Sequence, residues 1–127
     1  MLRSRWTALS VLALAACGGG DANEIVGIQG SEFPANEPFT MTVLVMAPPS
    51  CADIKFNEIS CNVDVNEDEN EIFIDARVPF DEPDGCLPDI GIGEGVPVDC
   101  EVEGIEPGQY TVRGSGGVPF RATIQVF

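Results

Sequence analysis

The 127-residue chain has no histidine, a single lysine, a single tyrosine and a single tryptophan, and only 6 basic side chains against 21 acidic ones. Each scarcity removes a class of function. Without histidine, neither Ser-His-Asp nor Cys-His nucleophilic machinery can be assembled. Lys55, the one lysine, is not part of a Ser-x-x-Lys pattern. The formal net charge of −15 repels phosphate backbones and excludes nucleic acid as a partner. The run from Trp6 to Ala16, broken only by Thr7 and Ser10, stops after 11 residues, where a membrane-spanning helix needs roughly 20. Gly91-Ile92-Gly93-Glu94-Gly95 lacks both the lysine and the strand-to-helix setting of a phosphate loop. Carboxylates are abundant enough for a glycosidase-type pair, but a small domain poor in aromatics offers no deep cleft or sugar platform to hold one. The chain is therefore expected not to be an enzyme.

What the chain does have begins at its N-terminus. Arg3 and Arg5 form a positive segment, the run to Ala16 has the length of a secretory apolar region, and Ala15 and Ala16 are small enough to enter a peptidase site. On these residues alone the segment reads as an ordinary signal peptide. Leu14-Ala15-Ala16-Cys17, however, resembles the lipobox of bacterial lipoproteins. The resemblance implies diacylglyceryl transfer to the Cys17 thiol, cleavage between Ala16 and Cys17, and acylation of the new amino terminus. It divides the chain into a signal peptide (1–16), a lipidated flexible tether (17–23) and one domain (24–127). Gly18, which is not an aspartate, implies the outer rather than the inner membrane. Cleavage removes two arginines and no acid, leaving four basic residues against 21 acidic ones and a net charge of −17. So acidic a body gains nothing from anionic lipid, and the attachment falls to the acyl chains, of which two or more are needed for stable anchoring. No cofactor is expected beyond that lipid.

Four cysteines follow Cys17: Cys51, Cys61, Cys86 and Cys100. An even number in an exported domain reads as two disulfides. The spacings of 9, 24 and 13 intervening residues contain no zinc knuckle. Side-chain phase bears on the pairing. Ile59, Cys61, Val63 and Val65 alternate with polar residues, as do Val96, Val98, Cys100 and Val102, so Cys61 and Cys100 face a core. Cys51 and Cys86 follow turn residues. Core with core and loop with loop gives Cys61–Cys100 and Cys51–Cys86; the local pairing Cys51–Cys61 and Cys86–Cys100 is the alternative.

Strand signals run through residues 24–127. Strands are expected at Glu24–Gln29, Phe39–Ala47, Ile54–Val65 (bent or interrupted), Glu71–Phe80, Val96–Val102, Gln109–Arg113 and Val118–Phe127, separated by Pro, Gly, Asn and Asp clusters. About seven short strands in this length predict an all-β, antiparallel immunoglobulin-like β-sandwich. Pro107-Gly108-Gln109-Tyr110 resembles the tyrosine corner of immunoglobulin-like and fibronectin-like domains, which implies that the Tyr110 hydroxyl bonds back to upstream backbone. The order of elements resembles the small immunoglobulin-like domains of bacterial lipoproteins, a likeness that implies a fold and no particular activity.

The acidic segment Asp64 to Asp75 is the main candidate for ion binding. Asp64, Asn66 and Asp68 stand at positions 1, 3 and 5 of a helix-loop-helix calcium loop, with Asp75 at position 12. Glu69 occupies the position where such a loop needs glycine, and the flanks read as strands. A solvated hairpin turn between Val65 and Ile72 is the favoured reading, and weak, millimolar calcium at Asp64, Asn66 and Asp68 the alternative. The phenylalanines are expected in the core except Phe73, which is out of phase with Ile72 and Ile74 and is the best single contact residue. The expected function is a non-catalytic binding or structural module, attached to a membrane by lipid and presented to an envelope protein or glycan. The alternative is a cation-binding accessory protein using the acidic loops.

Overall fold

Apolar residues at every second position force the chain into strands whose inner faces must be covered, and two sheets cover one another. The computed structural model describes residues 19–86, 95–114 and 119–127. The Leu14-Ala15-Ala16-Cys17 motif and most of the Gly91–Gly95 and Gly114–Gly117 runs lie outside them.

The described strands are β1 (Gly20–Ala22), β2 (Ile25–Gln29), β3 (Glu32–Phe33), β4 (Phe39–Val45), β5 (Asp53–Ile54), β6 (Ser60–Asn66), β7 (Glu71–Asp81), β8 (Val96–Val102), β9 (Gly108–Gly114) and β10 (Phe120–Val126). One sheet has the order β2-β4-β8. The other is centred on β7, with β6 and β5 along one edge and β9 and β1 along the other, continuing through β10 to β3. The result is an immunoglobulin-like β-sandwich stapled by two disulfides.

The pairing is antiparallel except at two places. β7 runs parallel to β9, and β10 parallel to β3. Parallel neighbours need a long crossover. Between β7 and β9 the chain supplies one by leaving for the opposite sheet, where it forms β8, before returning.

Met41, Val43 and Val45 of β4 and Val98, Cys100 and Val102 of β8 face Ile72, Ile74, Ala76 and Val78 of β7 and Val112 of β9, all of them buried. Removing such a side chain from water contributes about 1.5–3 kcal/mol. The phase that predicted β8 is realised in full, with Val96, Val98, Cys100 and Val102 inward. Cys61, Val63 and Val65 point the same way but are only half-buried, because β6 lies at a sheet edge.

The segment Ile54–Val65, expected to be bent or interrupted, is interrupted: β5, a 3-10 turn at Phe56–Glu58, and then β6. Two other expectations need correction. The segment read as a flexible tether to residue 23 is ordered from Gly19 on, and Gly20–Ala22 pair with Phe80, Pro79 and Val78. Its composition carried no apolar alternation, yet the outer edge of β7 offers backbone partners beyond the point where β9 ends. Lastly, Phe56 and Phe127 are exposed rather than core. Phe56 sits on the 3-10 turn, which buries none of its residues, and Phe127 follows the last strand.

Candidate functional site

The molecule has two distinct ends, fixed by the register on β7. Glu71, at its start, adjoins the β6–β7 hairpin, and Asp81, at its finish, adjoins β1 and β5. We call these the hairpin end and the β1 end.

At the hairpin end, Glu67 to Asn70 close the turn, and Asn70 adopts a left-handed conformation (φ 53°) that asparagine tolerates better than most residues. Asn66 Nδ2 donates to Glu69 Oε1 at 3.4 Å. The Glu106 backbone N–H donates to Glu67 Oε2 at 3.5 Å, and the Thr111 N–H to the Asn70 carbonyl at 2.9 Å, which docks the turn on the β8–β9 connection and β9. Asp64 and Asn66 are exposed on the same face of β6, opposite Phe73 and Glu71, and Asp68 lies in the turn. This is a strand followed by a tight turn, unlike the encircling loop that a calcium ion needs. Among the described residues, no three Asp, Glu or Cys side chains gather closely enough to hold a metal ion.

An open groove of about 430 Å³ lies between the edge strands β6 and β8. Its more buried surface comes from Cys61, Val63, Val65 and Ile105, and its exposed surface carries Asp64, Glu67, Glu101 and Glu103. The Cys61–Cys100 disulfide, with a Cα–Cα distance of 5.4 Å, joins the two strands that frame it. Glu101 and Glu103 were not singled out from the sequence; they join Glu67 only because β8 and β6 lie on the same side of the sandwich. No lysine or arginine occurs in residues 60–71 or 95–108.

Tyr110 is buried, and its hydroxyl donates to the Glu106 carbonyl oxygen at 2.9 Å, the geometry of a tyrosine corner. Burial pushes its phenol above the ordinary 10.0, and the charges of Glu67 and Glu106 push it further in the same direction. Phe73 is 43% exposed, and the Arg113 guanidinium carbon stands 6.0 Å from its ring centre. Arg113 Nε also lies 3.0 Å from Glu71 Oε2, without the alignment of a hydrogen bond. The guanidinium thus covers part of the ring picked out as a contact residue.

The β1 end is fastened differently. Cys51 and Cys86 are bonded across the loops flanking β5 and β7, with a Cα–Cα distance of 5.7 Å. Arg77 reaches Asp75 (3.2 Å) on its own strand and Asp21 (3.5 Å) on β1; the Asp75 hydrogen bond is the main reason its guanidinium holds its proton even more firmly than usual. Lys55 lies 3.5 Å from Asp81. A Cβ on Gly19 would collide with the Phe80 carbonyl oxygen and approach Asp81 Cα to 2.6 Å, so only glycine fits there. The sequence did contain that signal, because three consecutive glycines mark a close backbone approach as readily as a flexible link. Cys17 itself lies outside the described residues.

Comparison with family models, with curated proteins and with solved structures finds no match.

Proposed function

We propose that the protein is a lipoprotein of the bacterial envelope, held in the outer membrane by lipid on Cys17, and that its sandwich is a non-catalytic binding or structural module. The observation that carries this reading is the adjacency of the lipobox to the fold: Cys17 is followed after one residue by Gly19, already packed on Phe80. A signal of this kind directly ahead of a disulfide-stapled domain suits an exported, surface-held protein. With no histidine in the sequence and its acids spread over exposed strand faces and turns, the domain offers a recognition surface. The groove between β6 and β8 is the part of that surface best suited to a partner: its carboxylates are complementary to a basic protein segment and can accept hydrogen bonds from glycan hydroxyls.

Mass spectrometry of the N-terminal peptide tests the anchor, and a diacylglyceryl group with an added acyl chain on Cys17 is the expected result. The Cys17→Ser form is expected to leave the membrane fraction. A free Cys17 thiol, with unchanged membrane fractionation in the serine form, overturns the reading. Crosslinking on intact cells then tests the module. Capture of one partner, lost when Glu67 and Glu103 are replaced by lysine, supports the groove; capture indifferent to those changes removes it.

A further inference from the structure

We infer, resting on the recognition reading above and deepening it, that the groove takes an extended segment rich in lysine or arginine, which adds as a further strand to the open edge of β6. The backbone carries the first part of the argument. The Thr111 N–H donates to the Asn70 carbonyl on the β9 side of β7. Backbone polar groups alternate sides along a strand, so Ile72 also turns toward β9, while Glu71 and Phe73 turn toward β6. Their register partners on β6 are Asn66 and Asp64. Cys61, Val63 and Val65 therefore direct their N–H and C=O groups away from β7. Among the described residues no strand lies on that side of β6.

An open edge invites pairing with another chain, and the other edges of this sandwich are blunted. β3 and β5 are two residues long and β1 is three. β2 has a register irregularity between Ile25 and Gly27. β8 contains Pro97, which has no N–H to offer. β10 is covered at its end by β3 and carries Arg121 on the uncovered part. β6 is seven residues long and regular in its pairing with β7, and it contains no proline, lysine or arginine. Negative charge is the only device on this edge, and charge is selective.

A second copy of β6 laid along the first would bring Asp64 and Glu67 toward their own counterparts, and like charges on neighbouring strands are destabilising. Glu101 and Glu103 add to the same field from across the groove, and residues 60–71 and 95–108 hold no cation to neutralise it. A basic strand meets the opposite situation. Its alternate side chains fall on two faces. On one, Val63, Val65 and Ile105 supply an apolar strip; on the other, Asp64 supplies a carboxylate between Asn62 and Asn66. The Cys61–Cys100 bond ties the edge to β8 near the start of this stretch, so the template is held in place before a partner arrives. Main-chain hydrogen bonds then supply affinity, and the alternate side chains supply specificity. A glycan has no row of amide donors and acceptors at strand spacing, so the open edge favours a peptide.

The test uses full-length protein in detergent and a synthetic peptide of four Lys-Val repeats. Calorimetry is expected to show saturable binding that weakens with salt, and none with the Glu-Val counterpart. N-methylation of either all valines or all lysines removes the donors from one edge of the peptide. One of the two methylated forms should bind about tenfold or more weakly and the other as before, because only one edge faces β6. Residue-resolved hydrogen exchange reads the contact without a variant: the amides of Cys61, Val63 and Val65 become protected by the unmodified peptide. Val63→Pro, which removes a donor on the open side and leaves the bonds to β7 in place, should weaken binding to a similar extent at an unchanged fold. Equal binding of all the Lys-Val forms, or protection confined to other strands, overturns strand addition. Cell crosslinking separates this from the reading beneath it. Capture lost in the Glu67 and Glu103 lysine variants but retained in Val63→Pro overturns strand addition and keeps the groove as a recognition surface. Capture indifferent to all three changes overturns both. Protection of the same amides in peptide-free protein that grows with concentration assigns the edge to a second copy of the chain, which also overturns the inference.

Discussion

At the β1 end, segments distant in sequence are clipped to β7 by a disulfide, two ion-pair clusters and a close glycine contact. Toward the hairpin end the Cys61–Cys100 disulfide joins β6 to β8, and the acidic turn itself carries no covalent tie. The acidic turn is held by backbone hydrogen bonds and by Tyr110, the one phenol of the chain, bonded to the Glu106 carbonyl. The difference follows from sequence distance. The hairpin joins neighbouring strands, and closing a short loop costs little chain entropy. The β1 end gathers Gly19, Cys51, Asp81 and Cys86, so covalent and ionic ties offset a much larger loss of freedom. The local end is left free to carry the acidic turn, with Phe73 exposed beside it.

The sharpest way to break this comparison is to remove each disulfide. Replacing Cys61 and Cys100 by alanine should cost about 4–5 kcal/mol in denaturant unfolding, since the pair closes a 39-residue separation inside the core. Replacing Cys51 and Cys86 should cost less, about 2–4 kcal/mol, because this bond lies in partly exposed loops. Hydrogen exchange should then report loosening of β5 and β1 ahead of the hairpin end.

Next in size is Gly19→Val. Forcing a branched side chain onto the Phe80 carbonyl should cost about 1–3 kcal/mol and free Gly20 to Ala22 from β7. Native-state exchange at Val78 and Phe80 reads that release.

Tyr110→Phe should cost about 1 kcal/mol, the loss of one hydrogen bond. It also sharpens the comparison through pH. The folded-state phenol is raised above 10.0, so its neutral form is favoured in the fold. The stability linked to it is intact below that value and is lost as pH rises through the folded-state pKa. The alkaline limb of the stability profile should be shallower in the phenylalanine variant. Tyrosinate absorbance, arising from this single residue, should titrate higher in folded than in denatured protein.

The smallest stability effect is expected from Glu67→Lys, within about 0.5 kcal/mol in either direction. The same change should alter partner capture, if the groove between β6 and β8 is the recognition surface. Millimolar calcium should leave the melting temperature unchanged, because Asp64 and Asn66 lie along a strand instead of around an ion.

Much of the fold was legible because alternation is a local signal. Val96 to Val102 declares its inner face residue by residue, and the same phase brought Cys61 and Cys100 to opposing strands. Pro107-Gly108-Gln109-Tyr110 similarly foretold the corner. Less of the candidate site was legible. Asp64 and Glu67 stood out as part of an acidic run, whereas Glu101 and Glu103 had no local mark. Phe73 was correctly read as exposed from its phase, but Phe56 was missed, because a 3-10 turn has no two-residue period to violate.

By itself the sequence determined the all-β class, the inward faces of the strands and the local turn chemistry, since each depends on residues near one another along the chain. Only the tertiary structure decided that β7 runs parallel to β9, that Gly20 to Ala22 form a strand, and that the Glu67 turn shares a groove with Glu101 and Glu103. Those outcomes depend on which free edges and faces meet after the sheets have packed, and backbone hydrogen bonding at an edge leaves no trace in side-chain pattern.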